Sequence, residues 1–157
     1  MLSEPNVLAF TIVAAVGVWA FRQWRARLGP LRASAEEEWI AKSFVPNAAM
    51  GRAYIFREES VPFIGIDLCI NGEVVGETYG KTFLQIDLPP GEHILTGKDR
   101  MNGLRSDLLL RVDAGRLYFV RQVVWRLDRK WSHGFIALCE PMKAQSVVRR
   151  CRMMTTN

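Results

Sequence analysis

The chain has 157 residues, 24% charged and 49% hydrophobic, and a formal net charge of +5. That length holds one anchor-sized segment, a short linker and one domain of about a hundred residues, which excludes a second soluble domain. The positive surplus is spread along the chain, which fits an anionic lipid surface or an acidic protein partner far better than nucleic acid.

The first predicted element is an apolar run from Val7 to Phe21, closed by Arg22, Arg25, Arg27 and Arg32. The run alone reaches ~22 Å at ~1.5 Å per residue, short of the ~30 Å hydrocarbon core. A helix from Glu4 to Leu28 reaches ~37 Å, with Ser3 as N-cap, Pro5 in the first turn and Gly29-Pro30 as the stop. Residues 1–30 therefore read as a transmembrane anchor helix, with Trp19, Arg22, Trp24, Arg25 and Arg27 at the membrane interface. A cleaved signal peptide and a buried or interfacial helix are the competing readings. Against the former, Glu4 precedes the run, four arginines follow it, and the cleavage-like Ala33-Ser34-Ala35 lies too far downstream. Those arginines place the following domain on the cytoplasmic side of an inner membrane, with a periplasmic domain as the alternative.

Residues 31–50 form a connector. Ser34 and Glu37 have the spacing of a capping box, and Glu36 to Glu38 suit the positive end of a helix. The expected helix runs from Ala35 to Phe44, presents Trp39, Ile40, Phe44 and Val45 on an apolar side, and stops at Pro46-Asn47.

From Gly51 the periodicity becomes that of strands, and residues 51–157 read as an antiparallel β-sandwich with a short C-terminal helix. GRAYIFRE, FIGIDLCIN, EVVGETYG and TFLQIDL are separated by turn residues. Ile64, Ile66, Leu68 and Ile70 fall on one face, with Asp67 and Asn71 on the other. Asn71-Gly72 supplies a tight hairpin turn, and Pro89-Pro90-Gly91 forces another before HILTG. Leu108, Leu110 and Val112 alternate with Leu109, Arg111 and Asp113 ahead of the Ala114-Gly115 turn. Leu117 to Leu127 is expected to be a long central strand, with a bulge near Arg121 and Gln122. FIALCE is the expected last strand, and Pro141 opens a basic helix to Arg150.

The strings xDxxINGxxVG, LPPGEHxL and LxVxAGxxYFV, over Gly51 to Cys139, resemble a family of small bacterial β-sandwich domains of unknown function, often found on membrane lipoproteins. The proline-glycine-histidine turn resembles that of PEGA-type surface domains. The resemblance implies a non-enzymatic, envelope-associated binding or scaffolding module without an active site. This chain lacks the lipid-bearing cysteine, so a helix would replace the lipid anchor.

The residues point to no catalytic site, cofactor or metal. His93 is expected in a turn, and His133 has no Asp or Cys at ligand spacing. Cys69, Cys139 and Cys151 have no CxxC spacing and read as buried thiols. Asp67, Asp87 and Asp113 read as solvated strand positions, and no phosphate loop or dinucleotide motif is present. The partner-contact candidates are Arg129, Lys130 and Trp131 at a hairpin tip, where cations beside tryptophan suit a headgroup boundary or a protein interface, and the cluster Arg149 and Arg150. The expected function is a non-catalytic single-pass accessory or scaffolding subunit of a larger membrane complex, with the bilayer and other subunits as partners, a contact to anionic lipid and none to nucleic acid. The alternative is a self-standing envelope protein that binds a lipid, glycan or peptide.

Overall fold

β1 (Gly51–Arg57) decides the architecture, because both of its faces are buried. A computed structural model of the chain describes residues 32–61, 64–100, 103–138 and 140–156. Among them are two helices, α1 (Ala35–Ala41) and α2 (Pro141–Arg150), and eight further strands. In chain order these are β2 (Ile66–Ile70), β3 (Glu73–Thr78), β4 (Thr82–Leu88), β5 (Gly91–Asp99), β6 (Arg105–Val112), β7 (Leu117–Leu127), β8 (Lys130–Leu138) and β9 (Arg152–Met153). One sheet has the order β8-β7-β1-β4-β9, the other β3-β2-β5-β6.

Ala53 and Ile55 of β1 point between the sheets, where they meet Leu68, Leu84, Leu95, Val120 and Met154. Tyr54 and Phe56 point the other way and pack with Phe83, Phe119 and Phe44 beneath Ala41 of α1 and Ala144 and Val148 of α2. The domain is thus three-layered: helices, five-stranded sheet, four-stranded sheet. The expected purely antiparallel sandwich is corrected on two counts. β1 pairs in parallel with β7, and β4 in parallel with β9. A strand covered on both faces can read as a nearly unbroken apolar run, which is why GRAYIFR shows no alternation.

Local signals are obeyed at the turns. Ser34 Oγ accepts from the Glu37 N–H at 3.1 Å, while the Glu37 carboxylate accepts from the Ser34 N–H at 2.8 Å, completing the capping box. α1 nevertheless ends at Ala41, before the expected Phe44. Phe44 takes a left-handed φ of 53° and drops its ring onto Tyr54, with centroids 5.1 Å apart. Ser43 Oγ donates to the Ile40 carbonyl, which occupies one of the open helix-end acceptors. Tyr54 stacks on Phe119 at 5.2 Å and donates its hydroxyl to the Ala41 carbonyl at 2.8 Å, so its buried polar atom is satisfied.

Asn71 and Gly72 have φ of 52° and 91°, as the hairpin requires. The irregularity expected near Arg121 and Gln122 is absent, since β7 and β8 keep one register from Phe119↔Leu138 to Leu127↔Lys130. The register shift lies instead between Leu68 and Cys69, in the pairing of β2 with β3. β8 is longer than FIALCE suggested, because it begins directly after the turn at Asp128-Arg129. β9, unforeseen, adds the tail to the sheet edge, and Arg32 bridges to Met154.

The predicted anchor, with Trp19, Arg22, Trp24, Arg25 and Arg27, lies outside the described residues. Among the described residues no helix is long and apolar enough to cross a membrane.

Candidate interaction and polar sites

The end of the sandwich where β1 leaves the sheet is polar inside, which the sequence reading missed. Arg57 follows Ala53 and Ile55 on the inter-sheet face and is fully buried. Its Nη2 donates to the carbonyls of Val61 and Ile64 at 2.8 and 2.6 Å, whereas Nε and Nη1 have no partner. On β7, one position beyond the Phe56↔Arg121 pair, Gln122 is also fully buried. Its Oε1 accepts from Thr78 Oγ1 on the facing sheet, and its Nε2 has no partner. Burial lowers the Arg57 guanidinium to about 10, with Glu59 opposing the shift.

Ion pairs surround this interior. Arg100 binds Asp67 at 2.6 Å and Glu77 at 3.0 Å, while Arg121 binds Glu59 at 2.8 Å and Glu58 at 3.5 Å. Arg150 reaches Glu58 at 3.4 Å. Burial raises the Glu77 carboxyl above the ordinary carboxylate value, and burial and Glu77 raise the Tyr79 hydroxyl. The signal that could have revealed this site is the inward parity of Arg57: a charged residue on a buried face needs an explanation.

The histidines have other tasks. His93 is on β5 rather than in a turn. Its Nε2 donates to the Pro89 carbonyl at 2.8 Å, which leaves Nδ1 to accept from Asn71 Nδ2 at 3.1 Å. In the same way His133 Nε2 donates to the Leu104 carbonyl at 3.1 Å, and Nδ1 accepts from Ser106 Oγ at 2.9 Å. The first ring therefore ties β5 to the turns that follow β2 and β4, and the second ties β8 to β6. Cys69 and Cys151 are buried and unpaired, and burial pushes the Cys151 thiol up to about 11, away from the thiolate. Cys139 lies outside the described residues. Among the described residues no group of three metal-binding side chains converges.

The partner-contact candidates fall on two elements. Arg129, Lys130 and Trp131 belong to the β7–β8 hairpin, which continues past the last β1 pair at Arg121. Arg126 lies over the Trp131 ring at 5.9 Å, so the tryptophan is drawn onto its own strand pair. Trp125, on the other face, is 44% exposed and sits over Gly134, where a Cβ would come within 3.2 Å of the ring. It belongs with the candidates and was missed. Arg149 and Arg150 occupy the last turn of α2, where Arg149 lies over the Phe44 ring at 5.5 Å. Trp39, Lys42, Ser43 and Arg149 line a shallow, open depression of about 240 Å³ on the helical layer.

A family model described as "Protein of unknown function (DUF2846)" matches residues 47–134. An uncharacterized protein of Haemophilus influenzae is 33% identical over 95 residues, covering 57% of this chain and 54% of that protein. The chain thus spans about half the length of the curated relative it matches. No solved structure matches. The family span takes in β1 to β7, the hairpin tip, Arg57 and Gln122, and leaves out α1 and α2.

Proposed function

This chain belongs to the DUF2846 family, and from that premise we propose a non-catalytic accessory or scaffolding module that makes protein–protein contacts at a membrane surface. The observation that supports the reading is the β7–β8 hairpin. β1 flanks β7 only as far as Arg121, and the remaining pairs of the hairpin extend beyond that edge. The extension carries Arg126, Arg129 and Lys130 against the single carboxylate Asp128, together with Trp125 and Trp131. Tryptophan and arginine on a preformed strand pair are suited to an interface, because they contribute large contact area with little further ordering. His133 fixes the base of the hairpin to β6 through Ser106. The anchor would be residues 1–30 in the inner membrane, with the domain on the cytoplasmic side; a periplasmic domain is the alternative.

The test is gentle detergent extraction from native membranes with a C-terminal tag, followed by native-size separation and mass spectrometry. A stoichiometric set of membrane subunits is expected with the wild type and its loss with Arg129→Glu/Lys130→Glu. A monodisperse lone protein would sink the reading. The polar sandwich end favours a second one, a self-standing envelope protein holding a lipid, glycan or peptide, because Arg57 and Gln122 keep unpartnered buried donors that a ligand acceptor could meet.

A further inference from the structure

The geometry points to a second contact, formed by the helical layer: the depression bounded by Trp39, Lys42, Ser43 and Arg149 takes the phosphate headgroup of an anionic lipid, and the domain rests on the bilayer there. The inference relies on the anchored reading above and adds a partner to it.

Charge and exposure support it. Lys42 is tied to Glu38 at 2.5 Å, but among the described residues no carboxylate lies within 4.0 Å of the Arg149 guanidinium. It is therefore a cation available to a phosphate. The two helices also carry large apolar side chains in water: Trp39, which lines the depression, is 75% exposed, Ile40 on α1 52% and Met142 on α2 86%. Met142 and Arg149 are seven residues apart on α2, so they share one helix face, and α2 contains Lys143, Arg149 and Arg150 but no acid. A tryptophan, aliphatic side chains and cations on one surface match the boundary between headgroups and acyl chains. The acid nearest in sequence is Glu38, which is held by Lys42 and by the Met153 N–H; Glu36 and Glu37 precede it in the first turn of α1, none of the three lines the depression, and Glu37 is engaged by Ser34.

The four residues of the depression lie outside the family span.

The test places a nitroxide on Met142→Cys, with Cys139→Ser, in the full chain reconstituted in phosphatidylcholine vesicles with and without phosphatidylglycerol. Relative accessibility to oxygen and to a water-soluble nickel complex is read. Accessibility should shift several-fold toward oxygen only with phosphatidylglycerol, and Arg149→Glu should abolish the shift. A label exposed to water in both vesicles, in a chain that stays with them, would overturn the contact alone. A chain retained by neither vesicle would sink the anchored reading with it. Loss of the shift on adding inorganic phosphate would show a free-phosphate site and also overturn lipid docking. So would a label protected only when other membrane proteins are present.

Discussion

Gly51 and Asp87 show how much single positions fix. A Cβ on Gly51 would stand 2.2 Å from Val112 Cγ1 and 2.9 Å from the Asp113 carbonyl oxygen. The side chain could turn, but the backbone oxygen could not. Gly51→Ala should therefore cost about 3 kcal/mol, read as a lower urea midpoint with unchanged slope. Asp87 accepts from Arg52 Nε at 2.7 Å and Nη2 at 2.9 Å, and from Asn47 Nδ2 at 3.0 Å. Arg52 holds its carboxyl below the usual 3.8. A depressed folded-state value stabilises above the unfolded value and stops doing so as pH falls through the folded one. Asp87→Asn should thus cost about 1 kcal/mol at neutral pH, and the difference should fade as pH falls below the ordinary carboxylate range, measured by chemical denaturation across pH.

At the scale of elements, the β7–β8 turn sets two non-glycine residues at positive φ, Asp128 at 45° and Arg129 at 66°. A two-residue hairpin favours glycine there, so Arg129→Gly should stabilise the fold by about 0.5 kcal/mol in thermal unfolding. The same change should weaken co-migration of partners, which separates a contact role for Arg129 from a structural one. Turns of this kind were legible in the sequence because their chemistry is local: Asn71-Gly72 and Ser34 with Glu37 behave as their spacing predicts. Leu117–Leu127 and Pro141–Arg150 were legible too, from β-rich composition and from proline at a helix start. The parallel pairing of β1 with β7 was not, because it joins segments sixty residues apart with no signature of partner or direction. Arg57 was hidden for the same reason, since its burial depends on which strands lie beside it. Trp125 could have been linked to Gly134, but only once the hairpin register was known.

For the whole molecule, the third layer is a requirement of the first two. Tyr54, Phe56, Phe83 and Phe119 form one apolar face of the five-stranded sheet, and α1 and α2 cover it. Truncation after Glu140 would remove α2 and β9 and open that face to water. The expected outcome is loss of the cooperative thermal transition and binding of a hydrophobic dye; a cooperative transition within a few degrees of the full chain's would contradict it.

The bridge between Arg32 and Met154 has a mechanical meaning. Ala33 also donates to the Met153 carbonyl at 3.2 Å, and Met154 donates to Phe83 at 2.9 Å. Both ends of the described domain are therefore knotted at one sheet edge, like the two ends of a loop held in one hand. A pull arriving through Arg32 would meet this seam before any other strand pair, and could peel β9 from β4 while the interior stayed closed. The domain would then yield first at this seam.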